Sequence, residues 1–171
     1  MKPEYNGITF DSPDEVELYQ WAEEALDCKL ITNFDYQRPT WQLSDPVIEV
    51  IPQFGKRGQP IKDKTRTVLQ GSTYTADFHF HGIVDFLPIS EFLDVKPKFS
   101  VRNDTARLFS LHRKWLYQRY NVLVHSVVPF ELFQKTWAPE LARLTPVKRQ
   151  PRKQYAALPT VQEFVSTMGS T

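Results

Sequence analysis

Tyr74-Thr75-Ala76-Asp77-Phe78-His79-Phe80-His81 alternates strictly, with Tyr74, Ala76, Phe78 and Phe80 in one set and Thr75, Asp77, His79 and His81 in the other. A period of two predicts a strand with one buried face. Gly82 opens a turn region, and Ile89 to Lys96 (ISEFLDVK) reads as a second strand, so an antiparallel hairpin is the simplest pairing. On that second strand Asp94 and Lys96 project together while Leu93 and Val95 go to the other side. The hairpin then gathers Asp77, Asp94 and Lys96: two carboxylates that repel unless a cation lies between them, with a lysine at hand. Hard oxygen ligands of this type suit Mg²⁺, with Mn²⁺ as a substitute.

Outward toward the N-terminus, Ser12-Pro13-Asp14-Glu15 predicts a helix start, with Ser12 as N-cap, Pro13 in the first helical position and Glu15 three residues after the cap. The helix should run to about Asp27, with Val16, Leu18, Tyr19, Ala22, Ala25 and Leu26 inward and Glu17, Gln20, Glu23 and Glu24 on the wetter side. Glu15 falls at the edge of the inward stripe. It can complete a capping box with Ser12 or serve the carboxylate site. A second helix is expected from a cap at Asn103 or Asp104 to about Tyr120, with Ala106, Leu108, Leu111, Trp115 and Leu116 inward and Arg107, Ser110, Lys114 and Gln118 as a polar stripe. Val122 to Val128 suits a buried strand.

Between residues 44 and 72, Pro46, Pro52, Gly55, Gly58, Pro60 and Gly71 interrupt every periodicity, which predicts a long insertion loop carrying Lys56, Arg57, Lys62, Lys64 and Arg66. One domain is expected over residues 1–140, followed by a basic, proline-broken tail over 141–171. Lys148, Arg149, Arg152 and Lys153 lie there around Pro151 and read as a flexible arm for phosphates. An amphipathic piece spans Thr160 to Met168. The order of helix, strands, hairpin, helix and strand fits an α/β fold around a mixed sheet.

The net charge of +1 conceals segregation: residues 1–95 sum to −8 and residues 96–171 to +9. An acidic cation site beside a basic surface for a polyanion has this signature, as do two unrelated solvated faces. Hydrophobic residues at 41% and charged residues at 24% exclude collagen-like and disordered classes. No run approaches eighteen apolar residues, so no membrane span is expected. The start, MKPEYNGITF, has no apolar core of a secretory signal, and Cys28 is the sole cysteine, so a cytoplasmic location is expected. His79 and His81 invite a zinc reading, but no third ligand stands at a recognisable spacing. His112 and His125 read as packing or surface residues.

The ordered motifs resemble the PD-(D/E)xK nuclease superfamily: Asp77, Asp94 seventeen positions on, then Val95-Lys96, all preceded by a helix bearing Glu15. More narrowly, Phe10-Asp11-Ser12 with Glu15, Gln37-Arg38-Pro39, Tyr74 with Ala76-Asp77-Phe78, and Asp94-Val95-Lys96 are similar to small phage and prophage nucleases regarded as Holliday-junction-resolving endonucleases. The chain departs from the pattern at Ala76, where the superfamily often has proline, and at Pro97, where glycine often follows the lysine.

The resemblance implies a restriction-endonuclease-like core, a mixed sheet flanked by helices. It implies Mg²⁺ held by Asp77, Asp94, the Val95 carbonyl and Glu15, with Lys96 orienting the nucleophile and Gln37 orienting substrate or bracing the site. DNA is the implied substrate, with Arg107, Lys114, Lys148, Arg149, Arg152 and Lys153 on its phosphates. A four-way junction cut symmetrically implies a homodimer. Two rival readings stand beside it. One is the nuclease subunit of a heteromeric transposase, docking a partner protein through residues 145–168. The other is a DNA-binding protein on a nuclease scaffold that no longer cuts.

Overall fold

The structure, a computed structural model, describes residues 2–84, 87–97, 104–145 and 148–168. In chain order the elements are β1 (Glu4–Tyr5), β2 (Ile8–Thr9), α1 (Pro13–Asp27), β3 (Asn33–Tyr36), β4 (Thr40–Ser44), β5 (Val47–Phe54), β6 (Pro60–Leu69), β7 (Ser72–Thr75), β8 (Phe78–Val84), β9 (Leu87–Val95), α2 (Asp104–Tyr120), β10 (Val124–Val127), α3 (Pro129–Lys135) and α4 (Val161–Met168). The expected α/β class with a mixed sheet holds. The main sheet runs β10-β9-β8-β3, parallel between β10 and β9 and antiparallel elsewhere. The expected hairpin is β8 and β9, which pair Phe78 with Leu93 and His79 with Phe92.

Two clusters cover the two faces of this sheet. On one side α1, α3 and the C-terminal segment bury Leu18, Trp21, Ala22, Phe78, Phe80, Val95, Phe133, Trp137, Tyr155 and Val161. Trp21 stacks on Trp137 at 4.8 Å between centroids. On the other side Leu116 of α2 packs with Leu43, Tyr74, Ala76 and Val124. The single strand expected over residues 74–81 is therefore two. Tyr74 and Ala76 enter the α2 cluster and Phe78 and Phe80 the α1 cluster, because the chain breaks at Ala76-Asp77 and changes partner from β4 to β3 and β9. Strict alternation hides such a break, since a switch of face leaves the pattern of residue types intact.

Four further expectations are corrected. Residues 44–72 hold a hairpin of β5 and β6 rather than a loop, seven register pairs long from Val47 with Leu69 to Phe54 with Pro60. Its strands are almost wholly exposed, so no buried face imposed an alternation on the sequence. On α2, Leu108 and Leu111 are exposed, and Phe109, Trp115 and Leu116 take the inward positions; the Ala106 side chain lies outside the described ones. Glu17, expected on the wet side of α1, is buried, where it receives hydrogen bonds from Arg152 and from the Tyr155 hydroxyl. Lastly, residues 141–168 are not a free tail, since Ala142, Tyr155 and Val161 belong to the α1 cluster. Arg143 donates to the carbonyls of Ala138, Tyr155, Leu158 and Pro159, tying the segment down. Among the described residues, no helix is long and apolar enough to cross a membrane.

Candidate active site

Ser12 caps α1 as expected: its Oγ accepts from the Glu15 N–H at 3.2 Å and donates to Glu15 Oε1 at 3.0 Å. Capping leaves Glu15 Oε2 free to take more. It accepts from the Tyr36 hydroxyl at 2.6 Å and from the Asp11 N–H at 3.3 Å. Glu15 is thus buried at 6% exposure yet fully engaged, and the capping and site readings are compatible. Burial together with the Glu15 carboxylate holds the Tyr36 phenol well above its ordinary range, so it remains a donor.

Tyr36 ends β3, and the next residue, Gln37, takes a left-handed backbone with φ of 51°. A non-glycine residue adopts that region only when its surroundings fix it. Here the Gln37 N–H donates to the Asp77 carbonyl at 2.8 Å, and its side-chain amide donates to Asp11 Oδ2 at 3.2 Å and to the Tyr36 oxygen at 3.1 Å. Gln37 therefore braces the α1 start against the Asp77 junction. A cis peptide joins Arg38 to Pro39. Asp11, Gln37, Thr40, Thr75 and Asp77 line an open, polar cleft of about 470 Å³.

Asp77 occupies the break between β7 and β8, where no ladder engages it. Its Oδ2 accepts from the Val95 N–H at 2.7 Å, across from the end of β9. Burial first, then the Asp94 charge, raise its pKa to about 7; Glu15 adds to the rise, while the Val95 N–H and the Lys96 ammonium oppose it. Glu15, Asp94 and Lys96 therefore all act electrostatically on Asp77. Asp94 is 7% exposed, accepts from the Tyr74 hydroxyl at 3.0 Å and is in ion-pair contact with Lys96 through Oδ2. The Lys96 ammonium also sits 4.7 Å from the centre of the Phe109 ring of α2.

The structure thus brings Glu15, Asp77, Asp94, Val95 and Lys96 into one neighbourhood and places Gln37 at its edge. The donor set is all oxygen, the chemistry a hard divalent cation takes, but among the described residues Glu15, Asp77 and Asp94 do not bring three ligand atoms within 4.8 Å of one another. The basic residues read from sequence divide. Arg107 and Lys114 are exposed on α2, and Lys148, Arg149 and Lys153 are exposed. Arg152 is not free for phosphate: it is paired with Glu17 and stacked 4.8 Å from the Tyr155 ring centre.

Sequence reasoning missed Tyr36, Phe109 and Arg113, and it quoted Tyr74 within a motif without giving it a role. Arg113 lies over Phe109 at 5.6 Å, its charge reaches Tyr74, and its buried Nε has no hydrogen-bond partner. The signal available for Tyr36 was its position one residue before Gln37, and for Tyr74 its place in the motif that holds Asp77. A larger cleft, of about 550 Å³, lies away from this site between α1 and residues 141–152, but its charged Glu17 and Arg152 already satisfy each other.

Compared with protein-family models, curated proteins and solved structures, the chain has no match in any of the three.

Proposed function

We propose that the chain is a Mg²⁺-dependent endonuclease hydrolysing DNA phosphodiesters, with branched DNA of the four-way-junction type as its substrate. The observation that carries this reading is the Asp77–Asp94 pair. These carboxylates come from the β7–β8 break and from the end of β9, the Asp94 charge adds to burial in raising the Asp77 pKa, and Lys96 is in contact with Asp94. A structural ion pair needs one acid and one base. Two acids with one lysine leave a deficit of positive charge that a divalent cation makes up.

Asp77, Asp94 and the Val95 carbonyl would hold the ion, with Glu15 directly or through water. When bound, Mg²⁺ lowers the pKa of its water and offsets charge on the scissile phosphate. Lys96, held by Asp94 on one side and the Phe109 ring on the other, presents a fixed ammonium to a nonbridging phosphate oxygen and stabilises charge as it develops there. Glu15 is fixed by Ser12 and Tyr36, and Gln37 fixes the junction that carries Asp77. Exposed Arg107, Lys114, Lys148, Arg149 and Lys153 supply sequence-independent phosphate contacts. Cutting both strands of a junction symmetrically calls for a homodimer.

The transposase-subunit reading needs residues 145–168 free to dock a partner, whereas Tyr155 and Val161 are core residues. The test is cleavage by the full chain on junction, flap, nicked and linear duplexes with Mg²⁺, with Mn²⁺ and with EDTA. Metal-dependent cutting greatest on the junction supports the proposal. No cutting of any substrate with either ion, while DNA is still bound, replaces it with the non-cleaving DNA-binding reading.

A further inference from the structure

We propose that Asp35, His79 and His81 form a second cation site, one that takes a single divalent transition-metal ion of the zinc type. The inference is independent of the nuclease reading. Asp35 of β3 stands directly opposite His79 of β8 in the antiparallel ladder, and His81 follows two residues along the same strand. All three therefore share a face, the one opposite Phe78 and Phe80.

Their ligand atoms lie within 4.8 Å of one another. Asp35 Oδ2 is 3.4 Å from His81 Nε2 and 3.9 Å from His79 Nδ1. In a tetrahedral zinc site with bonds of about 2.0–2.1 Å, ligand atoms stand roughly 3.3–3.4 Å apart. The Asp35–His81 separation already matches, the Asp35–His79 separation closes by about half an ångström, and with all ligand atoms within 4.8 Å no pair has more than about 1.5 Å to close, a matter of side-chain rotation.

The ring of His79 is already oriented for this. Its Nε2 is 2.6 Å from Ser90 Oγ, and its ring stacks on Phe92 with centroids 4.1 Å apart, which turns Nδ1 toward Asp35. Metal-bound histidines characteristically donate their second ring N–H to an oxygen, and Ser90 supplies that oxygen. The two imidazole centroids are 3.9 Å apart, so both rings stand beside the same space.

Two imidazoles and one carboxylate select a borderline transition metal over Mg²⁺, in contrast to the oxygen-only set around Asp77. Asp35 and His81 are 43% and 35% exposed, so an ion has a path in and a water can complete the shell. An ion there staples the edge strand β3 to β8, and β3 ends in Tyr36, the donor to Glu15.

The test uses the full chain stripped with chelator and titrated with Zn²⁺ against a chromophoric chelator, with Co²⁺ absorption as a spectroscopic probe. One Zn²⁺ per chain is expected. His79→Ala, His81→Gln and Asp35→Asn each weaken it by at least about tenfold and abolish the Co²⁺ spectrum. Asp77→Asn keeps both. Zn²⁺ should raise Tm by about 4 °C or more in the parent chain and not in Asp35→Asn, whose side chain, the more exposed of the Asp35–His81 pair at 43%, makes it the variant least prone to unfold. Absence of stoichiometric Zn²⁺ binding, binding unchanged in all three ligand variants, or binding lost in Asp77→Asn alone overturns the proposal.

Discussion

The Val95 N–H donates to Asp77 Oδ2 at 2.7 Å, so the carboxylate at the end of one strand is fixed by the residue that separates Asp94 from Lys96 on another. One hydrogen bond thus joins the β7–β8 break to the Asp94-Val95-Lys96 motif.

Raised to about 7 in the folded chain against 3.8 ordinarily, Asp77 binds more protons folded than unfolded between those values. Stability of the metal-free protein from this group therefore falls as pH rises from about 4 to 7 and stays low above. Asp77→Asn removes the effect and should stabilise the metal-free protein at pH 8 by about 1–2 kcal/mol, a figure reduced for the open side of the cleft. Mg²⁺ binding should release close to one proton at pH 6 and almost none at pH 8, read by calorimetry in buffers of different ionisation enthalpy. Equal proton release at both pH values would mean that Asp77 does not hold the ion.

Lys96→Ala should lower turnover by at least about two orders of magnitude, the scale of one lost electrostatic stabiliser, and should lower Tm as well, since buried Asp94 loses its counter-charge; Lys96→Arg, which keeps that charge, should hold Tm. Phe109→Leu keeps the lysine but removes the ring 4.7 Å from it. A smaller loss, about threefold to tenfold, is expected in kcat with DNA affinity unchanged. Single-turnover cleavage at saturating DNA measures both. A Phe109→Leu defect seen only in KM would place the ring in DNA binding instead.

The start of α1 was readable because Ser12, Pro13 and Glu15 are local signals of a helix N-terminus, and the cap forms as those residues require. The β8–β9 hairpin and the Asp94–Lys96 relation were readable for the same reason: both follow from period two in contiguous residues. The β5–β6 hairpin was not, because an exposed two-stranded ribbon has no core to impose alternation. Nor was the burial of Trp137 and Tyr155, which reach the core from an irregular stretch and a single 3-10 turn. Glu17 misled for a related reason. A glutamate on a helix reads as solvated unless its partner is known, and Arg152 is 135 positions away.

Glu15→Gln and Tyr36→Phe separate the two roles of the α1 start. Glutamine retains the capping geometry with Ser12, so fold and Tm should hold while turnover falls by about two orders of magnitude. Tyr36→Phe leaves the charge but removes a 2.6 Å hydrogen bond. It should reduce turnover about tenfold, in line with a lost charge-assisted bond. Full activity in Glu15→Gln would return Glu15 to a purely capping role.

Arg152→Ala strips the buried Glu17 of its counter-charge and should destabilise the protein by about 3 kcal/mol, seen in chemical denaturation. Its effect on DNA affinity should be small where the protein is folded. By contrast, neutralising Lys148, Arg149 and Lys153 together should leave stability unchanged. It should flatten the slope of log affinity against log salt by up to about 2.7. The opposite pattern, with Arg152 controlling the slope, would restore the arm as first read from sequence.

The β5–β6 hairpin can be tested by excision, because its ends already meet. The Ser72 N–H donates to Ser44 Oγ at 3.1 Å, and β4 and β7 pair independently of the hairpin. Its exposed strands contribute little to either core cluster, so joining Pro46 to Gln70 through a short glycine linker should change stability by less than about 1 kcal/mol. Gly71 must be kept, since a Cβ there would lie 2.9 Å from the Ser44 carbonyl. The hairpin also carries Lys56, Arg57, Lys62 and Lys64, exposed cations set apart from the Arg66–Glu49 pair. Excision should therefore weaken DNA binding and reduce the salt slope by up to about 3.6 while single-turnover cleavage at saturating DNA persists. A folded excision variant with unchanged DNA affinity would remove the hairpin from the nucleic-acid surface; its exposed Val47, Ile48, Val50 and Phe54 would then call for an apolar partner.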